Sequence, residues 1–281
     1  MKKAMDSREV GLVMGLIAGR YVFQSEDLHY GFWPDELPVT PDHLKQAQDL
    51  HSQLILSNIP DGVESILDVG CGAGGLAKRL IDKGYAVDCV SPSGLLTTEA
   101  QKLLGDACTI VQGPFETIEL NRTYDLVLFS ESFQYIKLTP ALQQVMRYLK
   151  PGGHLLICDF FRHPREERGP IGGGHPLPAF HAEIEKHPLE SVVDQDITKE
   201  TARNYDLVND LLQRVGVPIW ELIFAYGNAN YPRRSKWLQR LFRKRIAKLE
   251  RKYFQGQRTA ETFSHYKSYR LLLYRRTTAA A

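Results

Sequence analysis

One ten-residue stretch restricts the folds open to this chain more than any other: Ile66-Leu67-Asp68-Val69-Gly70-Cys71-Gly72-Ala73-Gly74-Gly75. A buried strand runs into three glycines spaced by two, and a helix over residues 74–81 follows. Glycine at such a turn lets the backbone reverse tightly and lets a ligand approach where a Cβ would clash. The start of the helix adds unpaired N–H groups. Glycines alone also suit a tight turn with no ligand, so the surroundings matter, and the surroundings alternate. Residues 65–69, 85–90, 108–112, 124–129 and 154–161 read as strands, with helices over 94–104 and 140–149. Continuous apolar strands alternating with helices predict a parallel sheet covered on both faces.

The glycine spacing separates two ligand classes. A dinucleotide-binding turn reads G-x-G-x-x-G, with the pyrophosphate on the helix start. This chain reads D-x-G-x-G-x-G. The carboxylate of Asp68 would repel a pyrophosphate and suits a cationic ligand end such as an amino acid ammonium.

Beyond residue 161 the pattern breaks. Residues 162–197 are rich in Pro, Gly and His and read as a lid. A helix is expected over 199–215, and two late strands over 218–226 and 269–274. A basic helix over about 234–254 separates those strands. The first 60 residues supply a helical cap, clearest over 42–58. With no internal repeat or low-complexity linker, residues 1–281 read as one domain. Its parts are the cap to residue 60, a core over 61–161, the lid and helix over 162–215, and the last two strands over 216–281 with the basic insertion 233–254.

Here the chain resembles class I S-adenosylmethionine-dependent methyltransferases of the small-molecule or lipid type, such as the ubiquinone and sterol group. The resemblance rests on DVGCGAGG, YDLVLFSESFQYI and LKPGGHLLICDF, in that order, over about residues 60–160. It implies a Rossmann-like α/β fold with a seven-stranded, mostly parallel sheet, order 3-2-1-4-5-7-6, the last strand antiparallel. S-adenosylmethionine would be the cofactor and S-adenosylhomocysteine the product, with no metal. Asp68 and the backbone of Gly70, Cys71, Gly72 and Gly74 would hold its methionine part. Two positions depart from the family. Ser91, followed by Pro92, stands where an acidic residue usually grips the ribose, with Asp88 as the alternative. Pro114 replaces an Asp before Phe115, which would cover the adenine ring, and Glu116 belongs to the same cofactor-binding set. Leu28-His29-Tyr30-Gly31-Phe32-Trp33 resembles an arm whose aromatic residue, here Tyr30, closes over the cofactor, although packing on the sheet would also explain it. Ser130 would sit at the carboxyl edge of strand four.

An oxygen or activated-carbon acceptor needs a proton removed. The candidate bases are Glu131 at the strand-four edge, then His175 and His181 in the lid, which also holds His163 and His187. The base-amine signature Asp/Asn-Pro-Pro-Tyr is absent, which disfavours nucleic acid. Ile171, Leu177, Phe180, Ile184, Leu189, Val192 and Val193 would make an apolar roof, so a hydrophobic or amphiphilic small molecule is the expected acceptor.

Composition bears on the partners. Residues 233–281 carry 15 Lys and Arg against 2 Asp and Glu, while the first 232 carry 20 against 31. The near-neutral total of +2 is an average over two unlike parts. The basic helix 233–254 has three readings: packed on the domain, lying on an anionic membrane, or bound to nucleic acid. The last lacks any stacking or groove-reading pattern. A catalytically weak scaffold acting through this helix is the alternative to an enzyme, though a scaffold has no need of the close-approach glycines. The apolar run 11–19 is about half the ~20 residues that cross a bilayer, and Asp6, Glu9 and Arg20 make it a poor secretory leader. Cys71, Cys89, Cys108 and Cys158 have no CxxC spacing. A cytoplasmic chain with reduced thiols, peripheral at a membrane, is the expectation.

Overall fold

The computed structural model describes residues 7–164 and 169–278. Residues 1–6 and 279–281 of the expected domain, and residues 165–168 of the expected lid, lie outside these. Strand β1 (Ser65–Val69) is buried at every position, as a central strand with two covered faces must be. Its neighbours are β2 (Ala86–Ser91) and β4 (Tyr124–Ser130), both parallel. With β3 (Thr109–Gln112), β5 (Leu149–Arg162), β6 (Leu189–Asp196) and β7 (Lys267–Arg276) they form one sheet, ordered β3-β2-β1-β4-β5-β7-β6. β7 runs antiparallel to β5 and β6. The fold expected from the sequence is therefore the one observed.

Strand alternation divides the core in two. Ile66, Cys89 and Leu126 point to the face covered by α3 (Gly75–Asp82), α4 (Gly94–Leu104) and part of α2 (Leu44–Ser57). Leu67, Val69 and Phe129 point to the face covered by α5 (Leu138–Tyr148) and α6 (Leu177–Ile184). The order reverses between β1 and β4, and such a switch point opens a crevice at the carboxyl ends of the strands.

The late part of the chain departs from expectation. The sixth strand is Leu189–Asp196, inside the segment read as a lid, and residues 218–226 are helical. The last two strands therefore do not both lie within 216–281. Only Leu189 and Val193 of β6 are even partly buried. Glu190, Asp194 and Asp196 make it a polar edge strand, protected from further pairing by charge. It is tied to β7 through Arg270, which bonds Asp194 at 2.7 Å and Asp196 at 3.3 Å. Residues 218–226 belong to α8 (Val217–Asn230), with Pro218 in the first turn, where its missing N–H costs nothing. A nearly continuous helical stretch thus runs from α7 (Thr198–Leu211) through a π turn into α8, then at Tyr231 into the basic helix α9 (Pro232–Leu249). A short α10 (Ala260–Tyr266) leads into β7.

The apolar roof is also different. Phe180 and Ile184 are core residues, Phe180 packing on Phe133, Phe161 and Tyr274. Val192 and Val193 lie on β6.

Before the sheet, α1 (Ser7–Ala18) lays Leu16 on Ala73 and Leu96. The arm 26–33 then crosses the carboxyl edge. Asn204 of α7 accepts from the Gly31 N–H at 2.8 Å and the Trp33 indole at 3.0 Å, and donates to the Gly31 carbonyl at 2.7 Å. A Cβ at Gly31 would sit 2.5 Å from that of Ala47, so only glycine lets the arm lie this close to α2.

Candidate active site

A cleft of about 380 Å3 opens at the switch point between β1 and β4. Its lining brings together most of the expected cofactor residues: Asp68, Gly70, Cys71, Gly72, Ser91, Pro92, Phe115, Glu116, Ser130 and Glu131. Gly70 (φ +85°) turns the chain sharply, and a Cβ there would strike Ser132 at 2.3 Å. Gly72 (φ +58°) would meet nothing within 4 Å. It leaves an uncrowded backbone cradle.

Two polar atoms in this lining have no partner in the structure. Asp68 is buried, and its Oδ2 is unbonded. Burial alone raises its carboxyl to about 7. The Ser130 hydroxyl is likewise orphaned. Buried polar groups are normally hydrogen-bonded. An orphaned carboxylate oxygen beside an open glycine backbone fits a ligand bringing a cationic donor. The residues present therefore fit an amino acid end of that kind, and the apolar side chains of Val90, Leu96 and Phe115 fit a flat ring beyond it. Ser91 is buried at the end of β2, and Ser93 donates its N–H to the Ser91 hydroxyl at 3.4 Å. Asp88 bonds Tyr124 and Arg122 at the far end of the sheet and does not line the cleft.

Glu131 follows β4. Its N–H donates to the Cys158 carbonyl at 2.9 Å, extending the β4–β5 pairing by one residue. Its backbone then turns left-handed (φ 55°), a strained conformation for a side-chain-bearing residue. That turn aims the carboxylate beneath the arm. One oxygen accepts from the Tyr30 N–H at 2.7 Å and from the Tyr269 hydroxyl at 2.8 Å. Burial raises the Glu131 pKa against the opposing pull of His29 and these two donors. The result is a fixed carboxylate of raised basicity on the cleft wall.

Four expected site residues stand elsewhere. The Tyr30 ring is not part of the cleft lining. It stacks at 6.4 Å on Phe160, and its hydroxyl bonds that of Tyr205 at 3.0 Å; its backbone holds Glu131. Gly74 (φ +91°) caps α3, where a Cβ would press on Leu104 of α4 at 3.1 Å. His175 meets the Phe133 carbonyl at 3.2 Å, and His181 lies against Phe180 on α6. Neither histidine lines the cleft.

Sequence reading missed the arm's own contribution. Asp27 and His29 line the cleft. Arg79 clamps Asp27 with two bonds of 2.9 and 2.8 Å. Burial opposes ionisation of Asp27, but hydrogen bonds and charges from His29 and Arg79 prevail and hold it well below the usual carboxylate range. Burial likewise disfavours charge on His29, and Asp27 overrides it, so the imidazole pKa is raised. His29 stacks on His51 at 4.7 Å. Burial and the His29 charge keep His51 neutral, and His51 Nε2 lies 3.1 Å from the Tyr269 hydroxyl. A continuous network, buried at Asp27, His51 and Tyr269, thus links Arg79, Asp27, His29, His51, Tyr269 and Glu131. The Asp-x-His spacing was visible in sequence. The partners were not, because they come from α2, α3 and β7.

The sheet order is that of the Rossmann-like methyltransferase fold, with the glycine turn and the cleft at its switch point. Residues 67–157 match the family described as Methyltransferase domain. A malonyl-(acyl-carrier protein) O-methyltransferase of Priestia megaterium is 27% identical over 131 residues, 41% of this chain and 48% of that protein. The chain spans about half the length of the curated relatives it matches. The crystal structure of the cyclase SpnF covers 97% of the chain and 95% of its own, with TM-score 0.68 and 18% identity. Geranyl diphosphate C-methyltransferase from Streptomyces coelicolor, solved with Mg2+, geranyl diphosphate and S-adenosyl-L-homocysteine, covers 98% of this chain and 100% of its own, with TM-score 0.67 and 14% identity. At these identities the structures share the fold, and a cyclase among them shows that the fold alone does not decide the reaction.

Proposed function

We propose that this chain transfers a methyl group from S-adenosylmethionine to an oxygen or carbon atom of a hydrophobic or amphiphilic small molecule, with Glu131 as the base. The observation that carries this reading is one cleft holding both an orphaned buried carboxylate, Asp68, and an anchored one, Glu131. Asp68 would accept from the ammonium of the methionine part, the backbone over Gly70–Gly72 would carry its carboxylate end, and Ser91 would bond the ribose. Bound there, S-adenosylmethionine supplies an electrophilic methyl group on a sulfonium sulfur. Glu131 would accept the acceptor's proton as its electron pair is freed, and Tyr269 would hold that carboxylate in line.

The acceptor class follows from the rim. Leu12, Leu28, Tyr135 and Ile136 are apolar at the mouth, and Tyr135 is 72% exposed. A cytoplasmic setting with a peripheral contact at an anionic membrane belongs to the same reading. A scaffold role would leave Glu131 without a reason for its strained backbone and two donors.

The test begins with calorimetric titration of S-adenosylmethionine, where the absence of heat overturns the assignment. With turnover established on an apolar alcohol or enolisable acceptor, Glu131→Gln should lower kcat by about 10²–10⁴-fold while leaving cofactor affinity within ~threefold. Unchanged kcat would remove Glu131 as base.

A further inference from the structure

The α8–α9 hairpin is built unlike the other α-helices: none of the described residues of α8 or α9 is buried. The two helices still hold each other along a seam. Trp220 donates to Glu250 at 3.2 Å and packs on Phe254, while Asn228 accepts from Ser235 at 2.7 Å and from Gln239 at 2.9 Å. These contacts join the start of α8 to the end of α9, so the helices are antiparallel.

The seam uses positions 220, 224 and 228 of α8 and 235, 239 and 246 of α9, with Glu250 just past its end. At 100° per residue, Ile219, Leu222, Ile223 and Tyr226 then fall on one flank of α8, and Trp237, Leu238 and Leu241 on one flank of α9. Both strips are turned from the seam in the same sense on helices of opposite direction. Ile223 and Leu238 therefore open on the same side of the hairpin, Ile219, Tyr226 and Leu241 lean toward it, and Leu222 and Trp237 stand at the outer edges. Leu222 is 68% exposed, Trp237 64% and Leu241 59%. Arg234, Arg245 and Lys248 share the α9 flank. Residues 232–254 carry ten Lys and Arg and one Glu, and that Glu is turned inward to Trp220.

We propose that this face of the α8–α9 hairpin docks on the headgroup layer of an anionic phospholipid bilayer. An apolar and aromatic strip bordered by cations has the chemistry of such an interface: the strip enters the acyl boundary, and the cations meet the phosphates. Charge complementarity selects the occupant, because an uncharged apolar partner would leave the surrounding cations without counterions. Among the described residues no helix is long and apolar enough to cross a membrane, so the docked hairpin would lie on the surface. The inference sharpens the membrane contact of the proposed function and does not depend on methyl transfer.

The full chain should be sedimented with vesicles of phosphatidylcholine alone and with about one third phosphatidylserine. Binding is expected to the anionic vesicles, at least ~tenfold over neutral ones, and to fall as salt rises. Arg234→Glu with Arg245→Glu and Lys248→Glu should abolish it. Leu222→Ser with Leu241→Ser should weaken it several-fold at every salt concentration. None of these exposed positions supports the core, so melting temperature and the cofactor titration should not move. Equal sedimentation with both vesicle types overturns the proposal. So does a dimer in light scattering that the serine pair dissociates while vesicles go unbound, which would make the face an interface between copies. A chain that binds vesicles but no cofactor would instead overturn the methyltransferase reading alone.

Discussion

Asp68 carries the plainest chemical signature in the molecule. Burial raises its carboxyl from 3.8 to about 7, so the folded chain favours the protonated form. Between those values the folded state holds a proton that the unfolded state lacks, so this group's contribution to stability declines as pH rises from about 4 through 7. A bound ammonium reverses the preference and drives the proton off. Calorimetry at ~pH 6 in buffers of different ionisation heat should then show net proton release on binding S-adenosylmethionine. Asp68→Asn should abolish the release and weaken binding by about tenfold or more, the worth of a charge-assisted bond. The same substitution should raise the melting temperature of the ligand-free protein at pH 8 and not at pH 4. Proton uptake, or release that survives in the variant, would separate Asp68 from the ammonium. Tyr269 makes a second residue-scale case. Its hydroxyl bonds Glu131 and meets His51, so Tyr269→Phe should shift the acidic limb of the kcat profile upward, because Glu131 loses a donor that favours its charged form. An unmoved limb would confine Tyr269 to packing.

Among the elements, the arm 26–33 joins fold to site. Its route is set by Asn204 on one side and by the Gly31–Ala47 approach on the other. Gly31→Ala should push the arm off α2, costing about 1–3 kcal/mol as overpacking, and should weaken cofactor binding because Asp27 and His29 move with it. Ala47→Gly in the same chain removes the closest colliding atom and should restore cofactor binding in part, because Trp33 Nε1 at 3.0 Å and the Ala47 backbone at 3.2 Å still crowd the new Cβ. A double variant no better than the single one would mean that the arm's conformation, not the collision, is at stake. The arm also shows what sequence can carry. Strands β1, β2 and β4 were legible because burial on both faces demands unbroken apolar runs, and the glycine turn was legible because its chemistry is local. β6 was not, since an edge strand such as LESVVDQD is polar by necessity and resembles a loop. PIWELIFAY was read as a strand, although its apolar residues at 219, 222, 223 and 226 already had helical spacing. The site divided the same way. Asp68 and Glu131 announce themselves beside β1 and β4, whereas the clamp on Asp27 depends on Arg79, 52 positions away.

For the whole molecule, charge and stability are partitioned together. The acidic part of the chain contains six of the seven strands, most of both cores and the cleft, while much of the basic surplus sits on a hairpin with no buried residue among those described. The hairpin is not a tail, because β7 must still follow it to complete the sheet between β5 and β6. It is nevertheless closed at its base, where Gln213 donates to the Phe254 carbonyl at 3.3 Å. Chain ends that meet in this way can be joined directly. Replacing residues 217–253 with a short glycine–serine linker should leave the core intact, because loop closure at such a distance costs little and no buried side chain is removed. The melting temperature should change by less than ~4 °C, about 1 kcal/mol for a domain of this size, and cofactor titration should be unaltered. The net charge should fall by eight, because ten Lys and Arg between 233 and 252 are removed together with Glu221 and Glu250. Native electrophoresis should register that loss of eight positive charges. A collapse of folding would mean that the hairpin completes the core through contacts weaker than burial, and its surface could not then be treated as free to serve a membrane.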